Sequence, residues 1–229
     1  MSKSLGNFLD PTDVVRTMGA DGARYVTLRE VPFDRDAEVS WDSFVRRYNS
    51  DLANNFGNLL NRTVSMVNRY FDGDRPRPSH GSLQARWADV LPAYVRKLEA
   101  CQLSDALAEL WDFVDAANRA VDLEQPWTLA KEAKAGVEGK AEQLSSVLGD
   151  LIEACRLIGL AVAPFMPTAA PKILAQLGYE YKSGADGNGG RAVLPMLEWE
   201  AGFEAGGRVA AAQPLFPRIE TEAAPPAVG

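Results

Sequence analysis

A single histidine, His80, and two cysteines, Cys101 and Cys155, are all that 229 residues offer from the side chains that most often bind metals or carry nucleophilic catalysis. A zinc site wants a tight Cys/His cluster. The two cysteines stand far apart, each within an apolar-periodic segment, so both are expected as buried thiols and no metal site is expected. His80 lies in a Pro/Ser/Gly loop, RPRPSHGS, where it reads as a solvated loop residue and fits poorly into a Ser-His-Asp or Cys-His mechanism. Long apolar runs are missing too. None approaches the roughly 18 residues of a membrane span, and the first 30 residues carry charges where a signal peptide would hold its apolar region. The chain reads as cytoplasmic, without a membrane partner. Nor is there an excess of positive charge, since the net charge is −7. A general nucleic-acid binder neutralises phosphates with Lys and Arg. The acidic excess is uneven, however: residues 1–80 hold 11 basic and 11 acidic side chains, so all of it falls beyond them. A polyanion would meet the N-terminal part first, through a few placed contacts.

What is present is an ordinary globular composition, 46% hydrophobic, enough for one sizeable core. The chain is organised around the stretch from Ser40 to Phe71. Apolar residues recur there at Trp41, Phe44, Val45, Tyr48, Leu52, Phe56, Leu59, Leu60, Val64, Val67 and Tyr70, steps of three and four that predict one long helix. Ser40 can cap its start, Asp42 suits the first turn, and Gly73 lies just past the end. The opposite flank carries Asn54, Asn58, Arg62, Ser65 and Arg69, a polar row that no core requires.

Upstream, MSKSLGN reads as a donor-rich loop able to hold phosphate oxygens. Asp10 and Pro11 then start a short helix, Thr12 to Met18, stopped by Gly19 and followed by a second, Asp21 to Arg29, with Tyr25, Val26 and Leu28 inward. Downstream, helices are predicted over Leu83 to Ala100, kinked or broken near its middle at Pro92, over the run from Leu103 to Gln125, packed antiparallel to its neighbour, over Glu142 to Val162 with one apolar stripe, and over Ala169 to Leu177, capped by Gly178. KEAKAGVEGK reads as a charged linker, the glycine-rich segment at 184–190 as a loop, and PLFPRI as a strap with Leu215, Phe216 and Ile219 packed on the bundle. The fold class is mainly α: an annex at 1–39, a helix bundle at 40–220 and a disordered tail at 221–229.

MSKSLGN, then DP, then GADGARYVTLREVPFDRDAEVSWDSFVRRYNSDLANNFGNLLNRT, then FVDAANRAVDLEQPWTLAK and a terminal PLFPRI together resemble a methionyl-tRNA synthetase, from inside its KMSKS loop through its anticodon-binding helices. The likeness covers nearly the whole chain. A lone MSKS would suit any class I synthetase; REVPF, NLLNR and the PW pair narrow it to the methionine enzyme. The first lysine of the signature is absent, as are the nucleotide-binding sheet, the HIGH-type signature, the methionine pocket and the inserted metal knuckle. Gly22 stands where the family more often has a helix former, at a cost of about 0.8–1 kcal/mol relative to Ala.

The resemblance implies a C-terminal portion of a methionine-tRNA ligase that binds the CAU anticodon stem-loop of its tRNA. It implies that Met1, Ser2, Lys3 and Ser4 are the remnant of an ATP-binding loop, with Lys3 stabilising pyrophosphate during activation. ATP and Mg2+ would serve the full-length enzyme and no cofactor this chain alone, which is expected to be inactive unless a separate catalytic half partners it. Asn58, Arg62, Trp127 and Pro126 would form the anticodon site. From the residues alone, Asn58 and Arg62, one turn apart, read as a solvated face or capping network, and Trp127 as tucked under the next helix; the resemblance turns the indole outward as a stacking surface. Asn54, Asn61, Arg69 and the Arg46/Arg47 pair are weaker candidates for phosphates or salt bridges. The alternatives are a helical protein-interaction module without RNA binding, and the same segment of another class I synthetase.

Overall fold

The computed structural model describes residues 9–32, 39–180 and 194–220. Residues Met1 to Ser4, the glycine-rich segment at 184–190 and the tail at 221–229 lie outside them. Among the described residues the fold is all helical: α1 (Pro11–Glu30), α2 (Trp41–Arg47), a π-helical stretch (Tyr48–Phe56), α3 (Gly57–Phe71), α4 (Ser82–Glu99), α5 (Leu103–Glu124), α6 (Pro126–Lys134), α7 (Lys140–Ala161), α8 (Ala169–Gln176) and a 3-10 turn (Leu194–Leu197).

The predicted long helix is present but is not uniformly α. Ser40 and Ser43 form a reciprocal capping box at its start, and Asp72 ends it in the left-handed conformation, just before Gly73. Between these ends, Tyr48–Phe56 is π-helical. The reason lies in the spacing of the core residues. Phe44, Tyr48, Leu52, Phe56, Leu60 and Val64 are all buried and recur strictly every four residues. In an α-helix of 3.6 residues per turn such a stripe rotates by about 40° at each step, which would turn it away from the core before Val64. The wider π turns take up that drift. Trp41 and Tyr70, at the two ends of the predicted stripe, are only half-buried.

The α5 helix runs parallel to this long helix with a constant offset. The Trp111 indole donates to the Asp51 carbonyl, Asn55 to Asp115, and Arg62 to Asp122, each pair 60 residues apart. By contrast α4 and α5 are antiparallel: Arg86 lies beside Asp112 and Lys97 beside Asp105, with the Trp87 and Phe113 rings 4.9 Å apart in the core. Pro92 does not break α4. Both Pro92 and Ala88, whose carbonyl loses its helical partner, are exposed, so the freed carbonyl is left open to solvent instead of being buried unpaired. Cys101 is exposed and has φ +57° in the α4–α5 turn, which corrects its expected burial; the apolar periodicity stops one turn before it.

The charged linker is half helix, α6, followed by a turn through Gly136 and Gly139. α7 is not amphipathic as expected: every residue from Leu148 to Ala161 is buried. Its polar members are satisfied from a distance. Arg156 forks onto Glu153 at 2.6 and 2.8 Å and donates to the carbonyls of Met196 and Glu198, while the Glu200 N–H donates back to Glu153. Phe216 and Ile219 are buried and Leu215 half-buried, so PLFPRI packs on the bundle as expected.

The annex is pinned through helix ends. Gly19, at φ 70° and ψ 165°, breaks α1 where predicted. Beyond it, one carboxylate oxygen of Asp21 accepts from the Thr168 and Ala169 N–H groups at the start of α8, and Arg24 donates to the Pro164 and Phe165 carbonyls just past α7. Each charge faces the end of the helix dipole it complements. Gly22 is a close-approach site: a Cβ there would lie 2.7 Å from the buried Tyr48 ring. Helix propensity alone predicts that Gly22→Ala stabilises by about 0.8–1 kcal/mol, whereas the clash predicts a net loss of about 1–3 kcal/mol. Chemical denaturation should therefore give a lower midpoint for Gly22→Ala; a higher one would contradict this packing.

Burial pushes the Cys155 thiol up to about 12, above an unfolded value of about 8.5. The folded chain thus holds the extra proton between those values, and the stability this group contributes is full below about pH 8.5 and is lost as pH rises toward 12. At pH 8, a thiol reagent should modify one site quickly in the native chain and the second only on unfolding, with Cys101→Ser removing the fast phase. Two fast equivalents would contradict this placement.

Candidate nucleic-acid interface

The geometry of the site starts at one residue. Gln125 adopts φ 44° and ψ 65° and serves as both the last cap of α5 and the first cap of α6. Its N–H donates to the Val121 carbonyl, and its own carbonyl accepts from the Thr128 and Leu129 N–H groups. Two helices are thereby joined through a single non-helical residue. Pro126 follows at the first helical position, where a missing N–H costs nothing. Pro126 and Leu129 are buried and turn that side of α6 inward, leaving Trp127 on the outer side, 45% exposed. The tucked-in reading of Trp127 is therefore not what the structure has. Pro126 is itself covered and leaves no exposed ring beside the indole.

Arg62 arrives from α3. Its guanidinium carbon lies 6.0 Å from the Trp127 ring centroid, within cation–π range, and its Nη2 is 3.4 Å from Asp122 on α5. Both partners of that ion pair are largely solvated, with side chains 41% and 70% exposed, so the pair is worth about 0–1 kcal/mol. Arg62 is held in place yet released at little cost. Asn58 is exposed one turn before it on the same helix, about 6 Å along the axis. An amide, a guanidinium and an indole thus share one surface, from positions up to 69 residues apart in the chain.

Sequence reasoning missed the other wall. Asn55 donates to Asp115 at 2.7 Å, Asn118 donates to Asn55 at 2.6 Å, and Asp122 faces Arg62. Asp115, Asn118 and Asp122 recur at helical spacing along the polar side of α5, a signal as plain as the one followed on the long helix. Leu123, 80% exposed, and Val137, 48% exposed, are apolar residues off any stripe near Trp127 in the chain. Of the weaker candidates, Asn61 accepts from the Ser65 hydroxyl, Arg69 lies over Tyr70, and Arg47 is taken up by Glu30 and Asp51. Asn54 and Arg46 are exposed. His80, exposed in its loop, has Nε2 3.4 Å from Glu200.

Among the described residues no group of three or more His, Cys, Asp or Glu could hold a metal ion, and no helix is long and apolar enough to cross a membrane. The ATP-loop residues Met1, Ser2, Lys3 and Ser4 lie outside the described part.

Residues 1–64 match the family model described as tRNA synthetases class I (M). Over 97% of its length the chain is 39% identical to a methionine–tRNA ligase of Caldanaerobacter subterraneus subsp. tengcongensis and 35% identical to that of Bacillus subtilis, covering 33% and 32% of those proteins. The chain therefore spans about a third of the length of these relatives. Among solved structures, Mycobacterium tuberculosis methionyl-tRNA synthetase bound by methionyl-adenylate superposes with a TM-score of 0.80 at 32% identity, over 95% of this chain and 41% of that one. Its free state gives 0.79 at 30% identity, over 93% and 41%. The relatives and the solved structures that this chain is similar to over most of its length are alike methionyl-tRNA synthetases, and its first 64 residues match the class I family model.

Proposed function

We propose that the surface formed by Asn58, Arg62 and Trp127 reads the CAU anticodon of a methionine tRNA, with the chain acting as the C-terminal, tRNA-binding portion of a methionine-tRNA ligase. The observation that carries this reading is the exposed indole with a guanidinium over it, brought together from α6 and α3. An exposed aromatic face stacks an unpaired base. Next to it, a guanidinium supplies a fork of donors and an amide supplies both donors and an acceptor, the groups that distinguish the edges of splayed-out bases. Pro126 fixes the origin of the indole. In this proposal ATP, Mg2+ and the Lys3 loop belong to the activation step of the full-length enzyme, in the cytoplasm. The bundle at 40–220 does the binding, and the annex at 1–39 links it to the activation site. The chain alone, with no sheet among its described residues, does not activate methionine.

Two measurements test the reading. Binding of a CAU hairpin should exceed that of a hairpin with a changed anticodon, and Trp127→Ala should weaken CAU binding by about 1–3 kcal/mol, roughly 5- to 150-fold. Equal affinity for the two hairpins, or binding indifferent to Trp127→Ala, would favour a helical interaction module instead. Preference for another anticodon would point to a different class I synthetase. Separately, methionine-dependent pyrophosphate exchange by the purified chain should stay at background; measurable exchange would refute the inactivity.

A further inference from the structure

At the N-terminal end of the long helix, a second feature faces solvent. A cavity of about 550 Å3 is lined there by Arg46, Arg47, Ser50 and Asn54, with Glu30 from α1 and Arg218 from the C-terminal strap completing its walls. In a chain of net charge −7, it gathers three guanidiniums around one lining carboxylate. Arg47 is occupied by Glu30 and by Asp51. Arg46 and Arg218 are exposed and make no ion pair with any described residue. Arg218 is not a stray tail residue. Its neighbour Ile219 is buried and exchanges two backbone hydrogen bonds with the Asn49 amide, 170 positions earlier, so the strap is clamped where it delivers a cation to the cavity.

We infer that this cavity holds phosphates of an RNA backbone, in the stem of the same hairpin whose loop meets Trp127; the inference rests on the anticodon reading. The polar flank links the two places, because Asn54 lines the cavity and stands one turn from Asn58. From Ser50 to Arg62 is at most about 18 Å along the helix, the value for the α rise of 1.5 Å per residue, since the π turns of the first half are wider and shorter. At about 3.4 Å per stacked nucleotide, that is roughly five nucleotides. The contact therefore falls on the paired stem, where backbone rather than base edges is presented. Guanidinium, hydroxyl and amide donors suit phosphate oxygens. Such a site contributes affinity and register on the hairpin and carries no preference among anticodons.

The test is a salt-dependent anisotropy titration of the full chain with a labelled CAU hairpin, with its changed-anticodon counterpart, and with the loop sequence alone as a short single strand. Arg46→Gln and Arg218→Gln should each weaken both hairpins several-fold by the same factor. Each should also lower the slope of log K against log salt by about one, and leave the stemless strand unaffected. Arg46→Lys should retain the slope, which separates loss of charge from loss of fold. Wild-type affinity and slope in the double variant would overturn the inference, as would an equal loss on the stemless strand. If the wild-type chain fails to distinguish the anticodons, the anticodon reading falls, while a reduced salt slope on both hairpins still supports the phosphate site.

Discussion

Asp51 is the joint on which the architecture depends. Its buried carboxylate accepts from the Tyr25 hydroxyl at 2.7 Å, from Ser50 and from Arg47, while its backbone carbonyl accepts from the Trp111 indole. One residue thereby ties the annex, the long helix and α5 together. The Tyr25 and Trp111 rings meet 4.6 Å apart beside it, and burial with the Asp51 charge nearby holds the Tyr25 hydroxyl far above its ordinary pKa, as a donor. That carbonyl lies within the π-helical stretch. A wide turn that admits an outside donor into the ladder is the physical setting in which such stretches persist.

From that joint the candidate site follows by rigid extension. Once Trp111 is fixed against Asp51, the constant offset between the two parallel helices carries Asp115 to Asn55 and Asp122 to Arg62. Gln125 turns the chain in a single residue, so the position of Trp127 is determined by where α5 ends. The indole stands near Arg62 because two rods were set in register about three turns earlier. The groups of the candidate site sit on helices that the core already holds, which keeps them in place before any ligand arrives.

Much of this was legible in the sequence, because the signals were local. Ser40, Gly19, Pro11 and Gly178 mark helix ends by chemistry that acts within a few residues, and the elements begin or stop at them. Periodicity found the long helix, α4, α5 and α8. What escaped was non-local. The π stretch shows only as a strict four-residue repeat from Phe44 to Val64, which a tolerant three-or-four count passes over. The burial of Glu153 and Arg156 depends on carbonyls some 40 residues later. Gly22 read as a weak helix residue because the Tyr48 ring against it is contributed by another element. At the site, Asn58, Arg62 and Trp127 came from the family resemblance, since position alone left each with an ordinary structural role. Asp115, Asn118 and Asp122 were visible as a polar stripe on α5, but only the offset between helices shows what they face.

The central claim is that the exposed indole, and no other, receives a base of the anticodon. Fluorine NMR of the chain labelled with 5-fluorotryptophan addresses it directly, because Trp87 and Trp111 are buried, Trp41 and Trp199 are partly covered, and Trp127 is exposed. On titration with a CAU hairpin, the Trp127 resonance, identified by its loss in Trp127→Phe, should shift while the other four stay in place. A Trp127 resonance that remains fixed under saturating hairpin would contradict the account.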